Sequence, residues 1–212
     1  MRRFAGRHLR FTAVLGAVLG LLVVVNVLRE YGPAGAGVVV GPVAAVALVV
    51  LSRRSGLSWS DLGLSRGTWA KGAALAVSAV AAVALVYAVA AALPLTRTAF
   101  LDARYQLPTG PALVTALVTI PLGTVLVEEI GFRGVLQGLL TRHRGVGWGL
   151  GLSSALFGAW HILPSLGLSH ANPAVSALAG GGAGAQVVAV LGAVAFTALA
   201  GLLLAELRRR SG

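Results

Sequence analysis

Two glutamates stand side by side in one of the most apolar parts of the chain, within LVEEIGFRGVLQ at residues 126–137. Glu129 and Arg133 have the i, i+4 spacing that places two side chains on one face of a helix, where they can form an ion pair. Glu128 would point about 100° away and has no partner at that spacing, which leaves its ionisation open to tuning by its surroundings. The spacing therefore predicts a supporting ion pair and a candidate general base, Glu128. The alternative is a buried ion pair that only fixes the register of a helical bundle.

A histidine supplies a second polar side chain in apolar surroundings. His161 lies in SSALFGAWHILP, residues 153–164, and Phe157 precedes it at i−4, so the phenyl ring would pack beneath the imidazole on one helix face. The short connector TRHRGVGWG makes this helix an antiparallel neighbour of the helix that carries the glutamates. Counted from that connector, Glu128 and His161 lie at similar depths. We therefore expect one water molecule to bridge them, although a lone histidine in an apolar helix is commonly a packing residue.

The composition determines the solvent around these residues. Hydrophobic residues make up 57% of the chain and charged residues 11%, and the mean hydropathy is +0.88. A soluble globule could not cover such a composition with a polar exterior, so we predict an integral membrane protein. The whole chain, residues 1–212, is interpreted as a single membrane domain. The absence of cysteine excludes a cysteine nucleophile, disulfides and cysteine-ligated zinc.

Apolar runs long enough to cross a bilayer recur along the chain, each crossing needing roughly 20 residues. They predict an all-α, polytopic transmembrane helical bundle with spans at residues 11–28, 33–51, 70–93, 111–140, 146–163 and 184–206. The span at 111–140 would be about 45 Å long, more than the roughly 30 Å hydrocarbon core, so it must tilt, kink or emerge. Counted from its outer end, Glu128 is expected within the bilayer and nearer the cytoplasmic side.

Lysine and arginine are distributed unevenly between alternate connecting segments. Thirteen of them lie on one side of the predicted bundle and three, Arg29, Arg97 and Arg104, on the other. The positive-inside rule then places both termini in the cytoplasm, and we predict a multi-pass protein of the plasma membrane. The formal net charge of +11 reflects this topology and contact with the anionic headgroups of the lipid bilayer. Nucleic acid is not expected as a partner, because the charges are scattered and lack interleaved aromatic residues.

The glutamate and histidine segments together resemble a known family. EEIGFR, Glu128 to Arg133, matches the Glu-Glu-x-x-x-Arg motif of the CPBP family of intramembrane proteases, and FGAWH, Phe157 to His161, matches its Phe-x-x-x-His motif. This family includes the CAAX prenyl endoproteases and the bacteriocin-processing, or Abi, proteins. The resemblance covers roughly residues 57–206, with residues 1–56 forming additional N-terminal spans.

The resemblance implies a glutamate-dependent endopeptidase that acts on a peptide or a membrane-protein substrate. Glu128 would activate a water molecule, His161 would hold and polarise that water, and Glu129 with Arg133 would form the supporting pair. The helices would enclose a cavity open to the cytoplasm. No cofactor is expected, and zinc is the alternative, for which one histidine and two glutamates make a sparse site.

The family also carries a His-x-x-x-Asn motif, assigned to oxyanion stabilisation, on a helix that would follow residues 184–206. The sequence ends at LLLAELRRRSG, so we expect the C-terminal part of the family core to be missing and this chain to show little or no proteolysis. His170 and Asn172 are the downstream candidates, but their i, i+2 spacing in a proline-containing loop makes them a poor substitute.

Two other functions stay open from the sequence. A non-catalytic relative could act as a bacteriocin-immunity or interaction protein, in which the polar residues only hold the bundle together. A small proton-coupled transporter could use Glu128 as its proton site, although the spans lack the paired inverted repeats typical of transporters.

Overall fold

The computed structural model describes the backbone of residues 2–180 and 183–211, and the side chains of residues 11–180 and 184–211. The side chains of the basic segment at residues 2–10 thus lie outside the described ones. All regular structure in the described ranges is helical, which confirms the predicted all-α class. The principal helices are α1 (Arg2–Tyr31), α2 (Ala36–Arg54), α3 (Trp69–Ala92), α4 (Thr109–Arg144), α5 (Val146–Trp160), α6 (Pro173–Ala179) and α7 (Ala183–Ser211).

Helices long and apolar enough to cross a membrane confirm the polytopic bundle. The described residues contain five of them: Phe11–Tyr31, Ala36–Arg54, Arg66–Ala92, Thr109–Arg144 and Gly184–Ser211. The span expected at 146–163 differs, because α5 ends at Trp160 and the chain bends by 44° before a second helical stretch, Leu163–Ala171. Pro164 explains the break, since proline has no N–H to donate to the carbonyl of Trp160, four residues earlier, and its ring clashes with that carbonyl in a continuous helix. The predicted count of six is reached only when this bent pair is one span.

Helix α4 carries the two glutamates and is the longest of the five spans, at 36 residues. Its backbone is π-helical over Thr115–Thr119, Pro121–Val125 and Glu129–Leu136. Stretches of π-helix are rare and often occur at functional sites, and the third of these contains most of the EEIGFR segment. At its ideal rise such a helix is about 54 Å long, so α4 extends beyond the roughly 30 Å hydrocarbon core.

Small residues let α2 and α4 approach closely before the glutamates. A Cβ atom added at Gly123 would lie 3.0 Å from the backbone carbon of Gly37 on α2. Such contacts between backbones drive helix association in membranes, where lipid removes the hydrophobic driving force. Gly158 on α5 meets α7 in the same manner, since its added Cβ would lie 2.7 Å from the carbonyl oxygen of Val194.

The buried core surrounds the glutamate half of α4. It combines α4 side chains with apolar residues of α1 and α2, namely Val127, Phe132, Val135, Leu136, Leu139 and Leu140 with Val18, Leu22, Val25, Ala44 and Leu48. Helix α3 contributes no buried residue, and its exposed valines and alanines suit contact with lipid. The site therefore lies where α1, α2, α4 and α5 converge.

Candidate functional site

Glu128 is buried, with 8% of its surface exposed, and two other helices provide its partners. The indole Nε1 of Trp160, at the end of α5, donates a hydrogen bond of 2.9 Å to its Oε1. The Nη1 atom of Arg29, in the last turn of α1, lies 3.5 Å from the same oxygen. Glu128 therefore has no partner within its own helix, as predicted, but it is paired across helices. Its second oxygen, Oε2, has no protein hydrogen-bond partner among the described residues.

Arg29 is a site residue that the sequence analysis missed. Its Nη2 donates a hydrogen bond of 2.7 Å to Thr124 Oγ1, one turn before Glu128 on α4, and its guanidinium lies 5.8 Å from the ring centroid of Trp160. In the sequence Arg29 resembled an ordinary charge at the boundary of a span. One signal could have pointed to it: α4 carries two intramembrane acids and a single nearby base, Arg133, so a second cation was required.

Asn26 is a second polar residue of α1 in this cluster. Its Nδ2 donates a hydrogen bond of 2.9 Å to the carbonyl oxygen of Trp160, which lies at the end of α5. The last carbonyls of a helix lack partners within that helix, and burying them unpaired is costly. Asn26 satisfies one of them and fixes the end of α5 against α1.

His161 occupies the break that follows α5. Its Nδ1 lies 2.8 Å from the carbonyl oxygen of Phe157, and because a carbonyl only accepts, Nδ1 carries the hydrogen. In the neutral ring Nε2 is then an acceptor, and it has no protein partner among the described residues. The imidazole and the Phe157 ring make an edge contact with centroids 4.7 Å apart, as their spacing predicted. Ser165 Oγ donates a 2.6 Å hydrogen bond to the His161 carbonyl and thereby stabilises the break.

The predicted pair of Glu129 and Arg133 is present, with Nη1 and Oε1 3.4 Å apart. The two partners differ in exposure, since 5% of the Arg133 side chain and 46% of the Glu129 side chain are exposed. The buried guanidinium stacks 3.7 Å from the ring centroid of Phe157. Phe157 therefore connects the supporting pair to His161.

The structure brings the candidate residues to one region but shows no direct hydrogen bond between Glu128 and His161 among the described residues. Trp160 directly precedes His161 in the chain and binds Glu128, so α4 contacts α5 at its break. The water bridge between the carboxylate and the imidazole stays a prediction.

The contacts of α1 locate Glu128 along the bundle. At the arginine-rich end of the bundle, Phe11 stacks on His143 of α4 with ring centroids 4.4 Å apart. Arg29 contacts Glu128 five turns further along α1. Glu128 therefore lies near the end of α1 that is away from the arginine-rich end. Its depth in the bilayer stays a prediction.

The downstream candidates His170 and Asn172 serve other purposes. Asn172 caps α6, accepting hydrogen bonds from the N–H groups of Ala174 and Val175 at 3.1 and 3.3 Å, and its Nδ2 donates to the Ala99 carbonyl at 2.9 Å. His170 is exposed and its Nδ1 lies 3.4 Å from Ser169 Oγ. Neither residue contacts Glu128 or His161 in the described part of the chain.

Metal binding finds no preformed donor set. Among the described residues no three His, Asp or Glu side chains are gathered closely enough to hold an ion. The carboxylates of Glu128 and Glu129 each contact a different arginine, Arg29 and Arg133 respectively. These residues therefore do not fit zinc as they are arranged.

An apolar cavity of about 310 Å³ lies beside Trp160. Its walls come from α1, from Phe132 of α4 and from the end of α5, with Asn26 and Trp160 as its polar edge. A cavity of this size accommodates at least one large apolar side chain.

A comparison of the sequence with protein-family models identifies a family to which part of the chain is similar. Residues 109–212 match the model described as Rce1-like, type II CAAX prenyl endopeptidase Rce1-like. This part of the chain is similar to the Rce1-like family. The Rce1-like segment contains both recognised motifs and begins with α4, later than the resemblance over residues 57–206 suggested. Neither a curated protein nor a solved structure matches the chain.

Proposed function

We propose that this protein is an intramembrane endopeptidase that hydrolyses a peptide bond in a peptide or membrane-protein substrate. The observation that supports this most directly is the state of Glu128 within the Rce1-like segment. One of its oxygens is held by Trp160 and Arg29, and the other has no protein partner among the described residues, close to the break that carries His161. A fixed carboxylate with one free oxygen suits a general base.

In the proposed reaction, Glu128 Oε2 accepts a proton from a water molecule whose oxygen bonds to the substrate carbonyl carbon. His161 Nε2 accepts a hydrogen bond from the second hydrogen of that water, which stays on the oxygen, and so orients the water, since Nδ1 is already engaged with Phe157. The C–N bond then breaks, and the amide nitrogen takes the proton from Glu128 and leaves as an amine. Exclusion of bulk water from the site strengthens each of these electrostatic interactions. No step needs a metal or a cofactor.

The apolar cavity beside Trp160 indicates the side of the site on which substrate binds. Its α1 wall contains Leu19, Leu22 and Val23, and its α5 wall contains Leu156 and Ala159. Apolar side chains of a peptide in the bilayer would bind there, close to the water activated by Glu128.

We further propose a multi-pass plasma-membrane protein with both termini in the cytoplasm. In that orientation, Glu128 would lie in the half of the bilayer away from the cytoplasm, because its partner Arg29 is in the last turn of α1. Cytoplasmic access, as the sequence suggested, would then need a water path along α4. Because the chain has no cysteine, single cysteines at Ser58 and Val23 can be labelled from either side of the membrane to measure both orientation and access.

Cleavage of a peptide library by the purified protein in lipid nanodiscs, followed by mass spectrometry, tests the activity. Wild type should release fragments, whereas Glu128→Gln and His161→Ala should not. Glu30→Gln is the matched control, since Glu30 is an exposed acid next to Arg29 in the sequence. Equal fragment release by wild type and Glu128→Gln would exclude the proposed role of this carboxylate.

A non-catalytic immunity or interaction protein is the second candidate. It is favoured by the ion pairs of both glutamates, which would stabilise the bundle without any reaction. In that case Glu128→Gln would retain the biological phenotype, because the amide oxygen of glutamine can still accept the Trp160 hydrogen bond.

A further inference from the structure

We infer that Arg29 is a positioning residue of the active site, so that α1, which lies outside the Rce1-like segment, completes the catalytic centre. This inference rests on the proposed function. It assigns a role to a helix that the family match does not cover, since the match begins at residue 109.

The first support is the geometry of the guanidinium. Thr124 Oγ1 accepts a 2.7 Å hydrogen bond from Nη2, which fixes the plane of the group. Nη1 is buried, has no hydrogen-bond partner in the described part of the chain, and lies 3.5 Å from Glu128 Oε1. Arg29 is thus held on α4 one turn before Glu128 and directed at a single carboxylate oxygen. A planar, always charged fork is well suited to such a contact.

The second support is that the two carboxylate oxygens of Glu128 have different partners. Trp160 Nε1 from α5 and Arg29 Nη1 from α1 both contact Glu128 Oε1. One hydrogen bond and one ion-pair contact on the same oxygen restrict the rotation of the carboxyl group and leave the lone pairs of Oε2 for water. Without Arg29, a single hydrogen bond would hold the carboxylate, and the group could rotate about it.

The third support is the polarity pattern of α1. Between residues 13 and 28 the sequence AVLGAVLGLLVVVNVL contains one polar side chain, Asn26. Asn26 and Arg29 are at i and i+3, hence on one helix face, and both reach the site, Asn26 through the Trp160 carbonyl. A charge that only marks the boundary of a span would not need this neighbour. Glu129 already has its own cation in Arg133, so Arg29 is not required there.

Cleavage kinetics in nanodiscs test the inference. Arg29→Gln should lower kcat by about 100-fold, the effect expected when a catalytic group is misplaced by about 1 Å, with little change in KM because Arg29 contacts Glu128 and not the substrate. Arg29→Lys retains the charge but cannot contact Thr124 and Glu128 together, so it should recover part of the loss. Arg97→Gln, an exposed arginine without a described partner, is the matched control and should behave as wild type.

A thermal-unfolding cycle keeps the test independent of activity. Arg29→Gln, Glu128→Gln and the double variant should show non-additive changes in Tm, because the two side chains interact directly. Additive changes would overturn the contact itself. Full kcat in Arg29→Gln, with Glu128→Gln inactive, would overturn the positioning role alone. Absence of cleavage by wild type would overturn the proposed function and this role with it. If Arg29→Gln fails to fold, Thr124→Val removes only the anchor of Nη2 and should still lower kcat.

Discussion

The two neighbouring glutamates of α4 belong to clusters built in different ways. Glu129 pairs with Arg133 of its own helix, and its side chain is nearly half exposed. Glu128 is buried and pairs with residues of α1 and α5. One peptide bond therefore separates a local cluster from one that exists only when three helices have packed together.

This difference corresponds to the proposed roles of the two glutamates, supporting for Glu129 and catalytic for Glu128. The local cluster can form as soon as α4 is helical, so it stabilises the helix and, through Arg133 and Phe157, the surface that carries His161. The cluster across helices fixes one carboxylate oxygen and forms only in the completed bundle. A general base with such a requirement would be active only in the fully folded protein.

The largest expected effect is on catalysis. Replacing Glu128 by Gln should lower the rate of peptide cleavage by about 100- to 10000-fold, the usual contribution of a general base. Glu129→Gln is the isosteric control on the adjacent residue and should lower it far less, because only the supporting pair is weakened. Initial rates with a fluorogenic peptide measure both. Equal losses in the two variants would show that the clusters are not functionally distinct.

The next effect is on stability, and it falls on the local cluster. Arg133→Ala removes the buried stacking on Phe157 and the partner of the half-exposed Glu129, so we expect the free energy of unfolding to fall by about 3 kcal/mol. Arg29→Ala should cost less, because Glu128 keeps its hydrogen bond from Trp160. Denaturant unfolding of both variants in the same detergent gives the comparison. A smaller loss for Arg133→Ala than for Arg29→Ala would contradict it.

A smaller effect is expected from Trp160→Phe, which tests the cluster across helices. Phenylalanine retains an aromatic ring near Phe132, where the centroids are now 5.5 Å apart, but it cannot donate to Glu128. Loss of a hydrogen bond to a charged group costs about 2 kcal/mol. Trp148→Phe is the control, since Trp148 is exposed. Unchanged stability in Trp160→Phe would indicate that water replaces the indole.

The same comparison explains which parts could be predicted from the sequence. The apolar runs predicted the helical bundle. The i, i+4 spacing predicted the contacts of Glu129 with Arg133 and of Phe157 with His161, because each of these contacts forms within one helix. The contact between Arg29 and Glu128 depends on how α1 docks onto α4. No spacing within a helix encodes that contact.

The break at His161 was missed for a related reason. Pro164 follows the apolar run expected at 146–163, and its influence on the preceding backbone extends into that run. The carbonyls freed by the break are satisfied by Asn26 from α1 and by Ser165. Hydropathy gives the length of an apolar run. It does not show which side chains of other segments bond to the carbonyls at a helix end and so stabilise a helix that ends before the run does.

The smallest expected effect concerns a third ion pair, outside the membrane spans, which contrasts with both clusters. Asp61, in the connector between α2 and α3, lies 3.6 Å from Arg142 and accepts a 2.7 Å hydrogen bond from the Ser58 N–H. Partial burial raises the pKa of Asp61, but the hydrogen bonds from Ser58 and the charges of Arg142 and Arg208 outweigh it, and the pKa lies below its ordinary value of 3.8. A carboxyl group with a lowered pKa in the folded state stabilises the protein above its unfolded pKa, and this contribution is lost as the pH falls through the folded pKa. Because a third of the side chain is exposed, we expect this ion pair to contribute less than about 1 kcal/mol to the free energy of unfolding.

The Tm of wild type should therefore exceed that of Asp61→Asn at pH 7, and this difference in Tm should close below about pH 4. Glu30→Gln is the control and should show no gap at either pH. A gap between wild type and Asp61→Asn that persists in acid would mean that the shape of the side chain, and not its charge, stabilises this connector.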